Sequence, residues 1–327
     1  MTQPSNLLLK LSHRLFTTAD QQAAFVEALV NPKPAAPAIL WTQPRPSRLP
    51  FERLEPLPWQ PGFCDRLAPS EQPGRHPLHD VGAYYCLDLS SIFAAAVLEA
   101  IPSQAIDLAI DLCAAPGGKS LLASHHLGPR RLFCNEVIRK RVRILIANLK
   151  RCSVKNATVF NLDPQAVAAN IPHSAQVVIV DAPCSGQSLL AKGKKAEGCF
   201  HPVILKKNAQ RQKRILANAA QLVADGGYLA YMTCTYAPEE NEQVIHWLLK
   251  KFPGFEAAVI PALAAYQSQL TQVNCYRLWP QQYTGAGAFT ALFRKTADES
   301  QTNSNSETVE QFIDRSGWLI TKNPPQF

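Results

Sequence analysis

The sequence lacks three kinds of segment, and each absence excludes a class of protein. No apolar run reaches the roughly 18 residues of a membrane-spanning helix, so we expect no contact with a membrane. The start, Met1 to Pro4, has neither the basic residues nor the cleavage region of a secretory signal, which favours a cytoplasmic protein. The nine cysteines are irregularly spaced without any C-x-x-C pair, so neither a disulfide framework nor a metal site is expected.

The sequence also lacks the familiar glycine-rich nucleotide motifs. No G-x-G-x-x-G occurs, which argues against a nicotinamide dinucleotide site. Gly118-Lys119-Ser120 resembles the end of a P-loop, but the glycine required five residues before Gly118 is replaced by Cys113. Pro116 would also remove one of the amide donors that cradle a phosphate. A P-loop-like nucleotide hydrolase is therefore an alternative that the sequence disfavours.

Acidic residues are scarce relative to basic ones. The chain has 33 Lys and Arg against 25 Asp and Glu, a net charge of +8, which favours a polyanionic partner such as RNA. Between residues 192 and 214 there are eight basic residues and a single acid, Glu197. A solvated helix surface is the alternative for some of them. We predict RNA backbone contacts from Lys192, Lys194, Lys195, Lys206, Lys207, Arg211, Lys213 and Arg214.

The segment Asp111–Ser120 is the most informative one in the chain. It follows an apolar run from Ile106 and precedes a helical one from Ser120, with Pro116 and two glycines at the turn between them. Glycines at such a turn let a ligand approach the backbone N–H groups of a helix start. An ordinary turn is the alternative. The pattern predicts a site for an adenosine-like cofactor at the carboxyl end of a parallel strand, without the P-loop residues that bind a triphosphate.

Strands and helices alternate from Ile106 onward. Further strands are predicted over 132–135, 158–162, 176–181 and 228–233, and helices over 138–151, about 203–223 and from Pro238 to about Lys250. A closing hairpin is predicted from 277–280 and 289–294. This succession predicts an α/β fold with a doubly wound, mostly parallel sheet.

Chemically reactive residues follow successive strand ends. Four acids, Asp111, Glu136, Asp163 and Asp181, are expected along one edge of the sheet. Glu136 comes 25 residues after Asp111, which is typical of the acid that holds ribose hydroxyls. Two cysteines lie in polar turns just past two adjacent strands, where core packing does not explain them. They are Cys184 and Cys234.

Three motifs in this order, DLCAAPGGKS, DAPCSGQS and TCTYAPEENEQV, resemble the RNA 5-methylcytosine methyltransferases of the bacterial Fmu and eukaryotic nucleolar Nop2/Sun type. The resemblance covers about 82–295. It implies a Rossmann-like class I S-adenosylmethionine-dependent methyltransferase domain at 82–296. The expected flanks are an amino-terminal helix and Pro-rich arm at 1–81 and a disordered polar tail at 297–327.

The resemblance also implies residue roles. The implied product is 5-methylcytosine in ribosomal or transfer RNA, formed through a covalent cysteine–cytosine intermediate. We expect the protein to be a monomer. Cys234 attacks the base and Cys184 assists release, with Asp181 between cofactor and base. Glu136 holds the ribose and Asp163 the adenine. The cofactor loop comprises Cys113, Ala114, Ala115, Pro116, Gly117, Gly118 and Lys119.

Two points stay open at this stage. DNA cytosine methyltransferases use a Pro-Cys nucleophile, so Cys184 competes with Cys234 on chemistry alone. A non-catalytic RNA-binding module on the same fold is the second functional alternative, although both cysteines and all four acids are present. Leu87-Asp88 departs from the Gln-Asp or Gln-Glu common in relatives, which leaves a substrate contact there unsupported.

Overall fold

A computed structural model describes residues 3–102, 105–296, 306–316 and 318–319. The α-helices are α1 Asn6–Leu15, α2 Ala19–Val30, α3 Pro77–Asp80, α4 Leu89–Ala95, α5 Gly118–Leu127, α6 Arg139–Arg151, α7 Pro164–Asn170, α8 Pro202–Leu222, α9 Glu242–Lys251 and α10 Ser306–Ser316. The strands are β1 Pro37–Trp41, β2 Cys64–Arg66, β3 Tyr84–Asp88, β4 Leu108–Asp111, β5 Arg131–Asn135, β6 Ala157–Phe160, β7 Ala175–Asp181, β8 Val223–Thr233, β9 Phe255–Ala257, β10 Tyr276–Leu278, β11 Ala288–Lys295 and β12 Trp318–Leu319. None of the described helices has the length and apolar character needed to cross a membrane.

The central sheet has the order β10-β11-β8-β7-β4-β5-β6-β12, with β9 added beside β11. The strands from β8 to β6 in this order run parallel, and β9 to β12 pair antiparallel with their neighbours. The chain moves outward from β4 through β5 to β6 and then returns to β7 on the other side of β4. This reversal opens a crevice at the carboxyl ends of β4 and β7, where α/β sheets bind their ligands.

Each face of the sheet is covered by helices, because alternate strand residues point to opposite sides. Ala109 and Val177 pack in one apolar cluster with residues of α4, α5 and α6. Ile110 and Val178 pack in the opposite cluster with residues of α7, α8 and α9. The predicted doubly wound α/β sheet is therefore confirmed.

The amino-terminal region holds more regular structure than predicted. Thr18 caps α2 by accepting a hydrogen bond from the Gln21 N–H. A second helix, α1, was not predicted, and Ser5 caps it by accepting a hydrogen bond from the Leu8 N–H. The predicted Pro-rich arm contains regular structure, because its strand β1 forms a small antiparallel sheet with β2 and β3. Pro37 is tolerated because it is the first residue of its strand. The sheet crosses the predicted domain boundary at 81/82, and that division stays a prediction.

Two further predictions are corrected. The tail was expected to be disordered over 297–327, yet 306–316 form α10, where Val309 and Phe312 are buried. Phe312 stacks on Phe160 at a centroid distance of 5.0 Å, so two apolar side chains anchor a segment of polar composition. Residues 297–305, 317 and 320–327 lie outside the described residues. The helix predicted from Pro238 begins only at Glu242, after a turn over 238–241.

Candidate active site

The crevice is a cavity of about 440 Å³ at the carboxyl ends of β4, β5, β7 and β8. The structure brings most of the predicted site residues to its wall. Those lining it are Cys113, Ala115, Pro116, Glu136, Asp163, Asp181, Cys184 and Cys234. Ala114, Gly117, Gly118 and Lys119 complete the predicted loop but do not line the cavity. The residues from one sheet edge therefore meet as predicted from the strand ends.

The turn after β4 is braced by Asp111. Its carboxylate accepts hydrogen bonds from the Cys113 N–H at 3.2 Å and from Ser120 Oγ at 2.7 Å. Gly117 has φ of +118°, a conformation open to glycine, and the helix α5 starts at the next residue. Asp111 is fully buried, and burial raises its pKa to about 7. Asp111 thus shapes the turn from behind instead of facing the cavity.

Glu136 presents a carboxylate oxygen with hydrogen-bonding capacity to spare. The side chain is 2% exposed, and Oε1 accepts the Ile138 N–H at 2.9 Å. Oε2 lies 3.0 Å from Arg141 Nη1, but this ion pair is not aligned as a hydrogen bond, and Oε2 has no hydrogen-bond partner. A buried oxygen in this state fits a ligand hydroxyl, which would donate to it. This is the observation that fits a ribose-bearing cofactor to the cavity.

Asp163 caps a helix and also lies at the cavity. Its Oδ1 accepts the Gln165 N–H at 2.9 Å and so caps α7. The residue is exposed and also lines the cavity near Glu136. Its position is thus compatible with the predicted adenine contact, which stays a prediction.

Lys119 and Asp181 form an ion pair beside the cavity, which Asp181 lines and Lys119 does not. Lys119 Nζ lies 3.2 Å from Asp181 Oδ2, and the lysine is 8% exposed. The Lys119 ammonium group is therefore directed at the end of β7. A lysine that binds phosphate would instead be free to contact its ligand. Asp181 still lines the cavity beside Cys184 and Cys234.

The two cysteines are direct neighbours. Cys184 Sγ and Cys234 Sγ are 3.2 Å apart, a hydrogen-bonding distance for two sulfur atoms. That hydrogen bond lowers the pKa of Cys234 and, together with burial, raises the pKa of Cys184. Cys234 is the more exposed of the two. The arrangement therefore favours a thiolate at Cys234 with Cys184 as its hydrogen-bond donor.

Sequence reasoning missed some residues of the site. Arg141 lies in the helix predicted over 138–151 and was not among the predicted site residues, yet it lines the cavity and donates to the Ala115 carbonyl. Ile138, the first residue of that predicted helix, instead precedes α6, is 51% exposed and also lines the cavity. Glu240 falls in the first turn of the helix predicted from Pro238, but it precedes the observed helix and is fully buried behind the cysteines. The helical period of α6 and the acidic residues after Cys234 are visible in the sequence. Neither shows which of these side chains face the cavity.

The eight basic residues between 192 and 214 have different surroundings. Arg211 and Arg214 line the cavity, and Lys194 is exposed in the loop before α8. Lys192 instead pairs with Asp88 at 3.3 Å, and Lys213 lies over the Trp247 ring at 6.0 Å. Asp88 also caps α4 by accepting the Ser90 N–H, so it has a structural role of its own.

Comparison with known proteins gives consistent matches. Residues 96–294 match the family described as 16S rRNA methyltransferase RsmB/F. Ribosomal RNA small subunit methyltransferase F of Pectobacterium carotovorum is 31% identical over 252 residues, covering 75% of this chain and 52% of that protein. Its counterpart in Cronobacter sakazakii is 32% identical over 254 residues, with coverage of 75% and 52%. The chain thus spans about half the length of the curated relatives it matches.

Solved structures share the fold over most of the chain. NSun6 from Pyrococcus horikoshii, crystallised with SFG, superposes with a TM-score of 0.72 at 18% identity, covering 90% of this chain and 99% of that one. A methyltransferase homologue from the same organism gives a TM-score of 0.68 at 22% identity, with coverage of 89% and 99%. These likenesses confirm the predicted Rossmann-like class I methyltransferase fold.

Proposed function

We propose a function from one premise: the chain belongs to the 16S rRNA methyltransferase RsmB/F family. The cofactor of this methyltransferase is S-adenosylmethionine. We infer that the protein transfers the methyl group of S-adenosylmethionine to C5 of a cytosine in RNA through a covalent cysteine–cytosine intermediate. The thiol pair of Cys184 and Cys234, 3.2 Å apart in the cavity, is the observation that carries the proposal.

The cavity residues suit the cofactor as follows. The turn Cys113–Lys119 provides the wall that follows β4, and Glu136 Oε2 provides an acceptor for ribose hydroxyls. Asp163 lies at the adenine end of this proposed placement. When bound, S-adenosylmethionine supplies an electrophilic methyl group.

Cys234 is the nucleophile in this proposal. C5 of cytosine is too electron-poor to attack a methyl group unaided, and addition of a thiolate to C6 makes C5 a carbon nucleophile. The lowered pKa of Cys234, caused mainly by the hydrogen bond from Cys184, increases the thiolate fraction at neutral pH. Asp181, held by Lys119, borders the same space and is placed to hydrogen-bond the cytosine edge.

Cys184 has the complementary task. After methylation the proton on C5 must leave before the Cys234 sulfur can be expelled, which requires a base or an activated partner. Once the Cys234 sulfur is bonded to the base it carries no negative charge, so one cause of the raised pKa of Cys184 disappears. Cys184 is therefore suited to take part in proton transfer at the release step.

The matched cysteine substitutions test this proposal. Cys234→Ala should form no covalent RNA adduct and no 5-methylcytosine. Cys184→Ala should attack and methylate but fail to release, so that a protein–RNA species survives denaturing gel electrophoresis. Adduct accumulation on Cys234→Ala but not on Cys184→Ala would reverse the two roles.

The substrate is proposed from the family and its named relatives. Of the two RNA classes that the sequence leaves open, the name of the relatives favours ribosomal RNA of the small subunit over transfer RNA. The target base must be single-stranded or flipped out to enter a cavity of this kind. Bisulfite sequencing of ribosomal RNA from cells with and without the gene should show one or more cytosines that lose protection. Loss of protection confined to transfer RNA would reassign the substrate.

A further inference from the structure

Glu240 is a buried carboxylate whose contacts are all with neutral donors. It is 0% exposed, and no ion pair to it occurs among the described residues. Its Oε2 accepts the Ser185 N–H at 3.0 Å and Gln212 Nε2 at 2.9 Å. Its Oε1 accepts Ser185 Oγ at 2.5 Å and Thr235 Oγ1 at 3.3 Å. Burying a charge costs free energy, so burial raises the pKa of the Glu240 carboxyl, while the hydrogen bonds from Ser185, Gln212 and Thr235 favour its charged form.

The donors belong to the two cysteine segments. Ser185 directly follows Cys184, and Thr235 directly follows Cys234. The two hydroxyl oxygens also lie 2.8 Å apart. Because each hydroxyl has one proton, the Thr235 O–H is shared between Ser185 Oγ and Glu240 Oε1, which closes a ring through the carboxylate. Gln212 extends the ring to α8, because the same Nε2 also donates to the Pro183 carbonyl at 3.1 Å. Residues 50 positions apart in the chain are thereby held in one arrangement.

We propose that Glu240 is a positioning residue that fixes the segments of Cys184 and Cys234 at reacting distance and keeps the proton of the thiol pair on Cys184. The inference rests on the proposed function for the meaning of that arrangement. Hydrogen bonds from both segments to one carboxylate limit how far the two sulfur atoms can separate from their 3.2 Å contact. A nucleophile and its partner gain most from such preorganisation when their supporting residues are rigid and buried.

The charge of Glu240 acts unequally on the two sulfurs. Its negative charge contributes to the raised pKa of Cys184, after the larger effects of the Cys234 hydrogen bond and burial. The charged neighbours that act on Cys234 are Asp181 and Lys119 instead. The titratable and charged groups around the pair include Asp181, Lys119, Tyr231, Tyr236, Glu240, Arg211 and Arg214. Removing the Glu240 charge should therefore let Cys184 compete for the negative charge.

Thiol labelling of the free protein tests this assignment. Wild type, Glu240→Gln and Glu240→Ala are alkylated with iodoacetamide across pH 5 to 10, and Cys184 and Cys234 are quantified separately by peptide mass spectrometry. We expect Glu240→Gln to lower the Cys234-to-Cys184 labelling ratio about tenfold, which corresponds to a relative pKa change of one unit. Glu239→Gln is the matched control, because Glu239 pairs with Arg14 at the surface, and it should keep the wild-type ratio and pH profile.

Smaller changes keep the test decisive if Glu240→Ala does not fold. Ser185→Ala and Thr235→Val each remove one hydroxyl from the ring and should lower the ratio in the same direction by less. In RNA methylation, Glu240→Gln should reduce kcat while the KM values for RNA and cofactor stay within about twofold.

A Glu240→Gln protein with a wild-type melting temperature and an unchanged labelling ratio overturns the proposal. Labelling needs no RNA, so it judges Glu240 even if the protein forms no 5-methylcytosine. Absence of 5-methylcytosine would overturn the proposed function alone.

Discussion

The two halves of the cavity are constructed in different ways. The cofactor half uses residues next to their own strand ends: the turn after β4, Glu136 after β5 and Asp163 after β6. The cysteine half depends on side chains that meet from distant segments, with Glu240 bonded to residues beside both cysteines. Local backbone geometry builds the first half, and buried long-range polar contacts build the second. The second half should therefore be less tolerant of single substitutions.

The ion pairs of the two halves repeat this difference. In the cofactor half, Arg141 pairs with Glu136, but the arginine side chain is 43% exposed. On the cysteine side, Arg277 donates to Glu242 through Nε at 2.7 Å and Nη2 at 2.6 Å, and both side chains are at most 4% exposed. Arg277 also donates to the Tyr236 carbonyl at 3.1 Å, two residues after Cys234. Solvent screens the first pair and is excluded from the second.

The largest expected effect comes from breaking the buried pair. Arg277→Ala leaves the Glu242 carboxylate buried without its cation and should destabilise the protein by about 3–5 kcal/mol. Arg141→Ala leaves Glu136 without its cation too, but that cation is 43% exposed and already screened by solvent, so the loss should be smaller than for Arg277→Ala. Urea denaturation of the two variants measures the contrast directly. Equal losses would remove the distinction between the two halves.

The next effect concerns Asp111, the buried brace of the cofactor half. Its pKa is raised from 3.8 to about 7 by burial, so the folded state binds the proton more tightly than the unfolded state. The stability that this proton contributes is full below about pH 4 and is lost as the pH rises towards 7, by at most about 4 kcal/mol. Asp111→Asn mimics the protonated form, so its stability relative to wild type should increase between pH 4 and 7. A constant difference over that range would contradict a raised pKa.

A smaller effect is expected at the cofactor itself. Glu136→Ala removes the carboxylate proposed to hold the ribose and should weaken S-adenosylmethionine binding by about 1–3 kcal/mol, as for lost hydrogen bonds to a charged group. Isothermal titration calorimetry measures this directly, with Glu239→Ala as a surface control. Unchanged affinity in Glu136→Ala would remove Glu136 from the cofactor site.

The smallest effect is electrostatic and concerns RNA. Lys194 and Lys195 are exposed in the loop that follows the Cys184 segment. If both contact phosphates, the double alanine variant should reduce the log–log salt slope of RNA binding by about 1.4, or about 0.7 per contact. Lys250 and Lys251 are exposed at the end of α9 and provide the matched double control. An intact slope in the loop variant would leave RNA contacts to other basic residues, such as Arg211 and Arg214.

Predictability from sequence differed between the same two halves. The strand–turn–helix at Asp111–Ser120 and the acids after β5 and β6 were predicted, because strand periodicity, glycines and strand ends are local features. The helix after Cys234 was misplaced by four residues, since Pro238 and Glu239 suit a helix start but also suit the turn that is found. The burial of Glu240 had no local signal, because its donors lie 55, 28 and 5 residues away.

The sequence by itself determined the doubly wound order of elements and the set of residues at the carboxyl edge. Spacing along the chain decides where each strand ends, and parallel strands end at the same edge. Only the tertiary structure decided that the two cysteine sulfurs lie 3.2 Å apart, that Lys119 pairs with Asp181, and that α10 packs against Phe160. A pKa or an ion pair depends on distances of a few ångström between segments far apart in sequence, and those distances exist only after the sheet has brought the segments together.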